Sequence, residues 1–166
     1  MAKIALKGSP VNTSGNLPAV GSKAPDFKLT KTDLADVTMK DFAGKRLVIN
    51  IFPSVDTAVC AMSVRKFNAE VTKKPNTICL CVSLDLPFAH KRFCAAEGIE
   101  NVVMATELRD RSFGEAYGVR MTDGPLAGLL SRAVVVVDEK GTVIHTQQVP
   151  DITQEPDYDS ALKALK

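Results

Sequence analysis

Histidine is scarce in this chain and tryptophan is missing altogether. The two histidines, His90 and His145, stand apart and lack the companions at fixed spacing that a zinc site needs. Neither sits in a signature that would supply the base of a cysteine hydrolase. Cysteine is sparse as well. Cys60, Cys79, Cys81 and Cys94 are too few to staple a secreted scaffold of 166 residues. Charge of one sign is not in surplus: the formal net charge is +2, which points to neither nucleic acid nor a membrane surface as a partner. No apolar run reaches about 18 residues, so no segment is expected to span a membrane. The opening MAKIALKGSP has no apolar core followed by a small-residue cleavage site. The expected location is the cytoplasm.

What is present suits an ordinary globular chain. Apolar residues make up 45% and charged residues 24%, so a core can form without cross-links. The length fits one domain, residues 1–166. Turn residues crowd the first 20 positions, with IAL and PV around Gly8-Ser9 reading as a small hairpin. Weaker strands are expected at 27–30 and 37–39. LVINIF, 47–52, is a continuous apolar run closed by Pro53, the pattern of a strand covered on both faces. The period then changes. Cys60, Val64, Phe67 and Val71 share one helical face, with Asp56 or Thr57 as N-cap. Lys73 and Lys74 are expected in its last turn, and Pro75 ends it. TICLCVS, 77–83, reads as a second buried strand. Asp85 and Pro87 open another helix, which Gly98 closes. VVMAT is a further strand, and a short helix is expected from Asp110 to Tyr117. AVVVVD and TVIHTQQV flank EKG as a hairpin, and Pro156 opens a last helix that runs to Lys166. Buried strands alternating with helices give an α/β class with a central mixed sheet.

Cys60 is the residue that carries chemistry. As a member of the apolar stripe it reads as a small buried hydrophobe. Its position in the first turn of a helix favours a different reading. Free N–H groups and the positive end of the helix dipole there favour an anion, and the thiolate is the nucleophilic form of cysteine. Thr57 reads as a cap, or as a hydroxyl one turn from the sulfur. Pro53 reads as a strand stop, or as a shield that fixes the loop. Together they form P-x-x-x-T-x-x-C, which resembles the active-site motif of the peroxiredoxins. Ala61, T-A-V-C and the R-F-C at 92–94 narrow the resemblance to the bacterial thiol peroxidases, which are atypical two-cysteine peroxiredoxins. INIFPS, VRKFN, SLDLPFA and DGPLAGLLSRAVVV extend the likeness along the whole chain.

The resemblance implies a thioredoxin-like fold with an N-terminal β-hairpin and no cofactor or metal. It implies that Cys60 attacks a hydroperoxide and becomes a sulfenic acid, and that Cys94 resolves it as an intrasubunit disulfide. Thioredoxin then reduces the disulfide, in an antioxidant cycle that takes hydrogen peroxide or organic hydroperoxides. Arg132 would stabilise the thiolate and the peroxide oxygens, and the chain would form a homodimer. From spacing alone, Cys94 is not preferred over Cys79 or Cys81, and Arg132 reads as a charged strand end. Cys79 and Cys81 alternate on one face of a buried strand and read as structural thiols. A dithiol oxidoreductase would need C-x-x-C, but Thr57 and Ser63 stand at the corresponding positions. A glutathione-peroxidase-like site would use a tryptophan that the chain lacks. A redox sensor would oxidise Cys60 once, without turnover.

Overall fold

The structure, a computed structural model, describes residues 2–165. An antiparallel hairpin, β1 (Lys3–Leu6) and β2 (Ser9–Asn12), precedes a seven-stranded sheet. The sheet comprises β3 (Lys28–Lys31), β4 (Asp36–Thr38), β5 (Arg46–Ile51), β6 (Thr77–Ser83), β7 (Val102–Thr106), β8 (Ala133–Val137) and β9 (Val143–Gln148), in the order β4-β3-β7-β6-β5-β8-β9. β5, β6 and β7 are parallel, while β3 joins β7 and β8 joins β5 antiparallel. The sheet is therefore mixed, with helices α1 (Ala58–Val71), α2 (Pro87–Glu97), α3 (Ser112–Ala116) and α4 (Tyr158–Lys163) around it. This is the α/β class read from the sequence, with its N-terminal hairpin.

Period-2 alternation along the central strands divides the core into two layers. Leu47, Ile49, Ile51, Leu80 and Val82 pack to one side with Phe113 and Tyr117. Val48, Cys79, Cys81, Val134 and Val136 pack to the other, against Cys60, Val64 and Phe67 of α1 and Ala161 and Leu162 of α4. β5 is buried at all six positions, with helices over both faces; its two polar members, Arg46 and Asn50, find hydrogen-bond partners inside.

Several boundaries differ from expectation. Met39 leaves the β4 strand and starts a short 3-10 turn, Met39–Phe42, in which the Asp41 carboxylate accepts from the Thr38 N–H. α1 stops at Val71, so Lys73 and Lys74 lie beyond its last turn. The short helix covers only Ser112–Ala116 of the expected stretch. Asp157, not Pro156, begins the last helix, because its carboxylate accepts from the Ser160 N–H. Lys166, expected to end that helix, lies outside the described residues. Gly98 ends α2 as expected. It takes the left-handed conformation, φ 65°, where a side chain would be strained, and its N–H and that of Ile99 both donate to the Cys94 carbonyl.

Phe67 is the largest α1 side chain in this core and is fully buried, edge-on to Tyr158 at 5.2 Å between centroids. Phe67→Ala is expected to lower the free energy of unfolding by about 3–5 kcal/mol. Urea denaturation measures it, and a loss under about 1 kcal/mol would mean that α1 does not depend on this contact.

Candidate active site

β5 delivers the chain to the site. Phe52 and the buried Pro53 follow its last residue, and Ser54–Thr57 form a loop into α1. Thr57 is extended (φ −98°, ψ 145°) and caps the helix, its Oγ1 accepting from the Cys60 N–H at 3.3 Å. The same hydroxyl donates to the Ser54 carbonyl at 3.2 Å. Thr57 therefore touches Cys60 through the backbone, and its hydrogen bonds leave the sulfur to another group.

That group is Arg132. Pairing of β5 with β8 sets Ile51 opposite Ala133, so one more step of the ladder brings Arg132 beside Phe52 at the strand exit. This register explains how a residue 72 positions away reaches the first turn of α1. Arg132 Nη2 donates to Cys60 Sγ at 3.3 Å, and Nε donates to the Ile152 carbonyl at 2.8 Å. Nη1 is buried with no protein partner. Arg132 is 2% exposed and Cys60 is fully covered. A buried guanidinium whose partners are a carbonyl and a sulfur, rather than a carboxylate, is short of negative charge. A thiolate would supply it.

Cys94 lies on α2, half-buried, against the apolar layer that holds Cys60. The two are not bonded, and all four cysteines are free. Burial, with the Cys81 thiol nearby, pushes the Cys94 thiol up to about 11. A shallow groove lined by Val55, Thr57, Ala61, Phe93 and Ala96 runs between α1 and α2 over this region. Cys79 and Cys81 point to the same face with sulfurs 3.8 Å apart. The hydrogen bond to Cys81 and burial push Cys79 well above the usual thiol range.

The redoxin family model matches residues 19–162. The thiol peroxidase of Mycobacterium bovis is 57% identical over 165 residues, covering 99% of this chain and 99% of that one. The chain belongs to the thiol peroxidase family. It is an enzyme of that redoxin group. Among solved structures, the peroxiredoxin-like protein from Aquifex aeolicus superposes with a TM-score of 0.92 at 38% identity, covering 99% of this chain and 96% of its own. The thiol peroxidase from Chromobacterium violaceum shares the fold, with a TM-score of 0.91 at 23% identity over 98% of this chain and 94% of its own.

The chain also carries a polar network that sequence reasoning missed. Asp85 is expected to open α2, but Leu86 stands at the N-cap and Asp85 turns inward. Its carboxylate accepts from Ser54 Oγ at 2.7 Å, Ser83 Oγ at 2.6 Å and the Val55 N–H at 3.0 Å. Ser83 Oγ also lies 2.8 Å from Nε2 of the fully buried His90. With the single Ser83 hydroxyl proton on Asp85, the His90 proton belongs on Nε2, and Nδ1 is left without a partner. The signal for the network was S-x-D just before the proline that opens a helix, with a histidine one turn on.

Burial would raise the Asp85 carboxyl, but His90, Ser83, Ser54 and the Val55 N–H together outweigh it and hold the group at about 2. A carboxyl depressed on folding adds stability above its unfolded value of about 3.9, and loses it as pH falls through the folded value. Asp85→Asn is therefore expected to destabilise the protein at pH 6 and to match the wild type more closely as pH falls from about 4 to 2. Denaturant titrations at several pH values check this. A stability difference that does not change with pH would show that the ionised carboxylate contributes nothing.

Proposed function

We propose that the chain is a thioredoxin-dependent peroxidase, one redoxin domain in which Cys60 is oxidised by hydroperoxides and Cys94 resolves the product. The observation that carries this reading is the buried Arg132 guanidinium 3.3 Å from the Cys60 sulfur at a helix N-terminus. Both the guanidinium and the helix end favour a thiolate. The Cys60 thiolate attacks the terminal oxygen of the hydroperoxide. A sulfur–oxygen bond forms as the oxygen–oxygen bond breaks, and the leaving alkoxide or hydroxide takes up a proton to give an alcohol or water. The orphaned Arg132 Nη1 is the donor we assign to the peroxide oxygens, where charge develops in the transition state. Thr57 fixes the Cys60 backbone, and Pro53 screens the sulfur from water.

Resolution needs a second geometry. The Cys94 thiol must condense with the sulfenic acid, releasing water and forming a disulfide. In the closed form Cys60 is fully covered, and the Cys94 thiol is held protonated at neutral pH. A disulfide needs Cα atoms within about 7 Å and converging Cβ directions. The first turn of α1 and the C-terminal half of α2 therefore open, Cys94 gains solvent, and the bridge forms. The exposed bridge is reduced by exchange with a dithiol protein of the thioredoxin kind.

Cys60→Ser is expected to abolish NADPH consumption in an assay with thioredoxin, thioredoxin reductase and peroxide, because a hydroxyl is not ionised near neutral pH. Arg132→Ala is expected to slow peroxide attack by about 10²–10³-fold, the usual loss of one preorganised donor. Turnover in the serine variant, or one stoichiometric burst by the wild type, would overturn the enzyme reading.

Amide hydrogen exchange tests the opening. Protection at residues 57–64 and 88–96 should fall in the disulfide form relative to the dithiol form. Equal protection in both forms would mean that the pair is preformed.

A further inference from the structure

Beside apolar packing, three polar ties among the described residues join the Cys60 segment to α2 or to the turn before it. Two are exposed ion pairs, Arg92 to Asp56 at 3.2 Å and Arg65 to Glu97 at 3.0 Å. Pairs of that kind are screened by water and hold little. The third is Asp85, whose side chain is 11% exposed. One of its oxygens takes the Ser54 hydroxyl, and the other takes the Val55 N–H and the Ser83 hydroxyl. Ser54 is also the residue whose carbonyl accepts from both the N–H and the hydroxyl of Thr57. The chain of contacts thus runs from Asp85 through Ser54 to Thr57, and from Thr57 to the Cys60 N–H. On its other side Asp85 lies two residues before α2, with His90 of that helix bonded to Ser83.

We propose that Asp85 is a positioning residue that fastens the Ser54–Thr57 loop to the head of α2, so that the Cys60 pocket and the Cys94 helix are released together. The proposal rests on the two-cysteine reading above. Asp85 touches no reacting atom. Its carboxylate accepts three hydrogen bonds at the junction between the loop and the helix, and hydrogen bonds to a charged acceptor are the strong ones. Holding the loop keeps Thr57 on the Cys60 N–H and favours attack on peroxide. The same hold opposes the opening that brings Cys94 to Cys60. Loss of Asp85 therefore moves two steps in opposite directions.

The test uses the full chain, reduced, mixed with excess hydrogen peroxide and quenched with an alkylating reagent at successive times. Mass spectrometry then counts the thiol, sulfenic and disulfide forms. Oxidation of Cys60 is first order in peroxide, while disulfide formation is independent of it, so the two rates separate. In Asp85→Asn the first rate should fall about tenfold and the second rise about tenfold, the scale of one charge-assisted hydrogen bond. Ser54→Ala removes one of the three donors and should shift both rates the same way by about threefold, which keeps the test open if the asparagine variant does not fold. Arg65→Ala, which breaks an exposed pair, should leave both rates within twofold of wild type. Rates in Asp85→Asn or Ser54→Ala that stay at wild-type values, or that fall together, overturn the positioning role. A wild type that consumes peroxide without forming a Cys60–Cys94 bridge overturns the two-cysteine reading, and this proposal with it.

Discussion

A guanidinium with no carboxylate partner is held inside the protein against a cysteine sulfur, and much of the surrounding chain serves to keep it there. Removing an ion from water costs several kcal/mol even after relaxation. For Arg132 the offset comes from the Ile152 carbonyl and the Cys60 sulfur. The first requires the segment after β9 to fold back over the strand ends. Val149 N–H and the Gln148 side chain, which both donate to the Arg132 carbonyl, fasten that segment. The second requires α1 to begin directly beyond β5. A strand exit, an antiparallel neighbour and a returning loop thus converge on one side chain.

The same closeness creates a conflict. In the proposed cycle a fully covered sulfur beside a buried cation must later meet a second thiol. Two N–H groups at the Gly98 cap grip the Cys94 carbonyl, and the Asp85 network holds the opposite end of α2. In the proposed cycle these fastenings separate the two chemical steps in time. The closed form suits peroxide, and an open form suits disulfide formation.

The parts of this arrangement differ in how far they could be read from sequence. β5 and β6 were legible because a strand covered on both faces is mostly apolar, and α1 because its buried residues recur at helical spacing. The cap at Thr57 was legible for the same local reason. Arg132 was not, since its meeting with Cys60 depends on a strand register that no short window contains; only the family resemblance singled it out. Asp85 misled for a physical reason. An acid just before a proline is the usual mark of a helix start, and nothing nearby shows that Ser54, 31 residues earlier, will claim its carboxylate. The Lys73 and Lys74 boundary failed because Pro75 was taken to set the helix end, whereas α1 stops with its apolar stripe at Val71.

Anchoring in the sheet distinguishes the three thiols that could meet Cys60 in the proposed cycle. Cys79 and Cys81 share the apolar layer with it and are fully covered. Both belong to β6, which is bonded to β5 on one side and β7 on the other. Freeing either sulfur would break two ladders of the central sheet, an opening that approaches global unfolding. Cys94 sits on an 11-residue helix at the edge of the same layer, between Pro87 at its start and Gly98 at its end. A proline and a left-handed glycine delimit this short segment. In the proposed cycle the resolving role falls to the thiol on this short helix, while two strand ladders hold the other two.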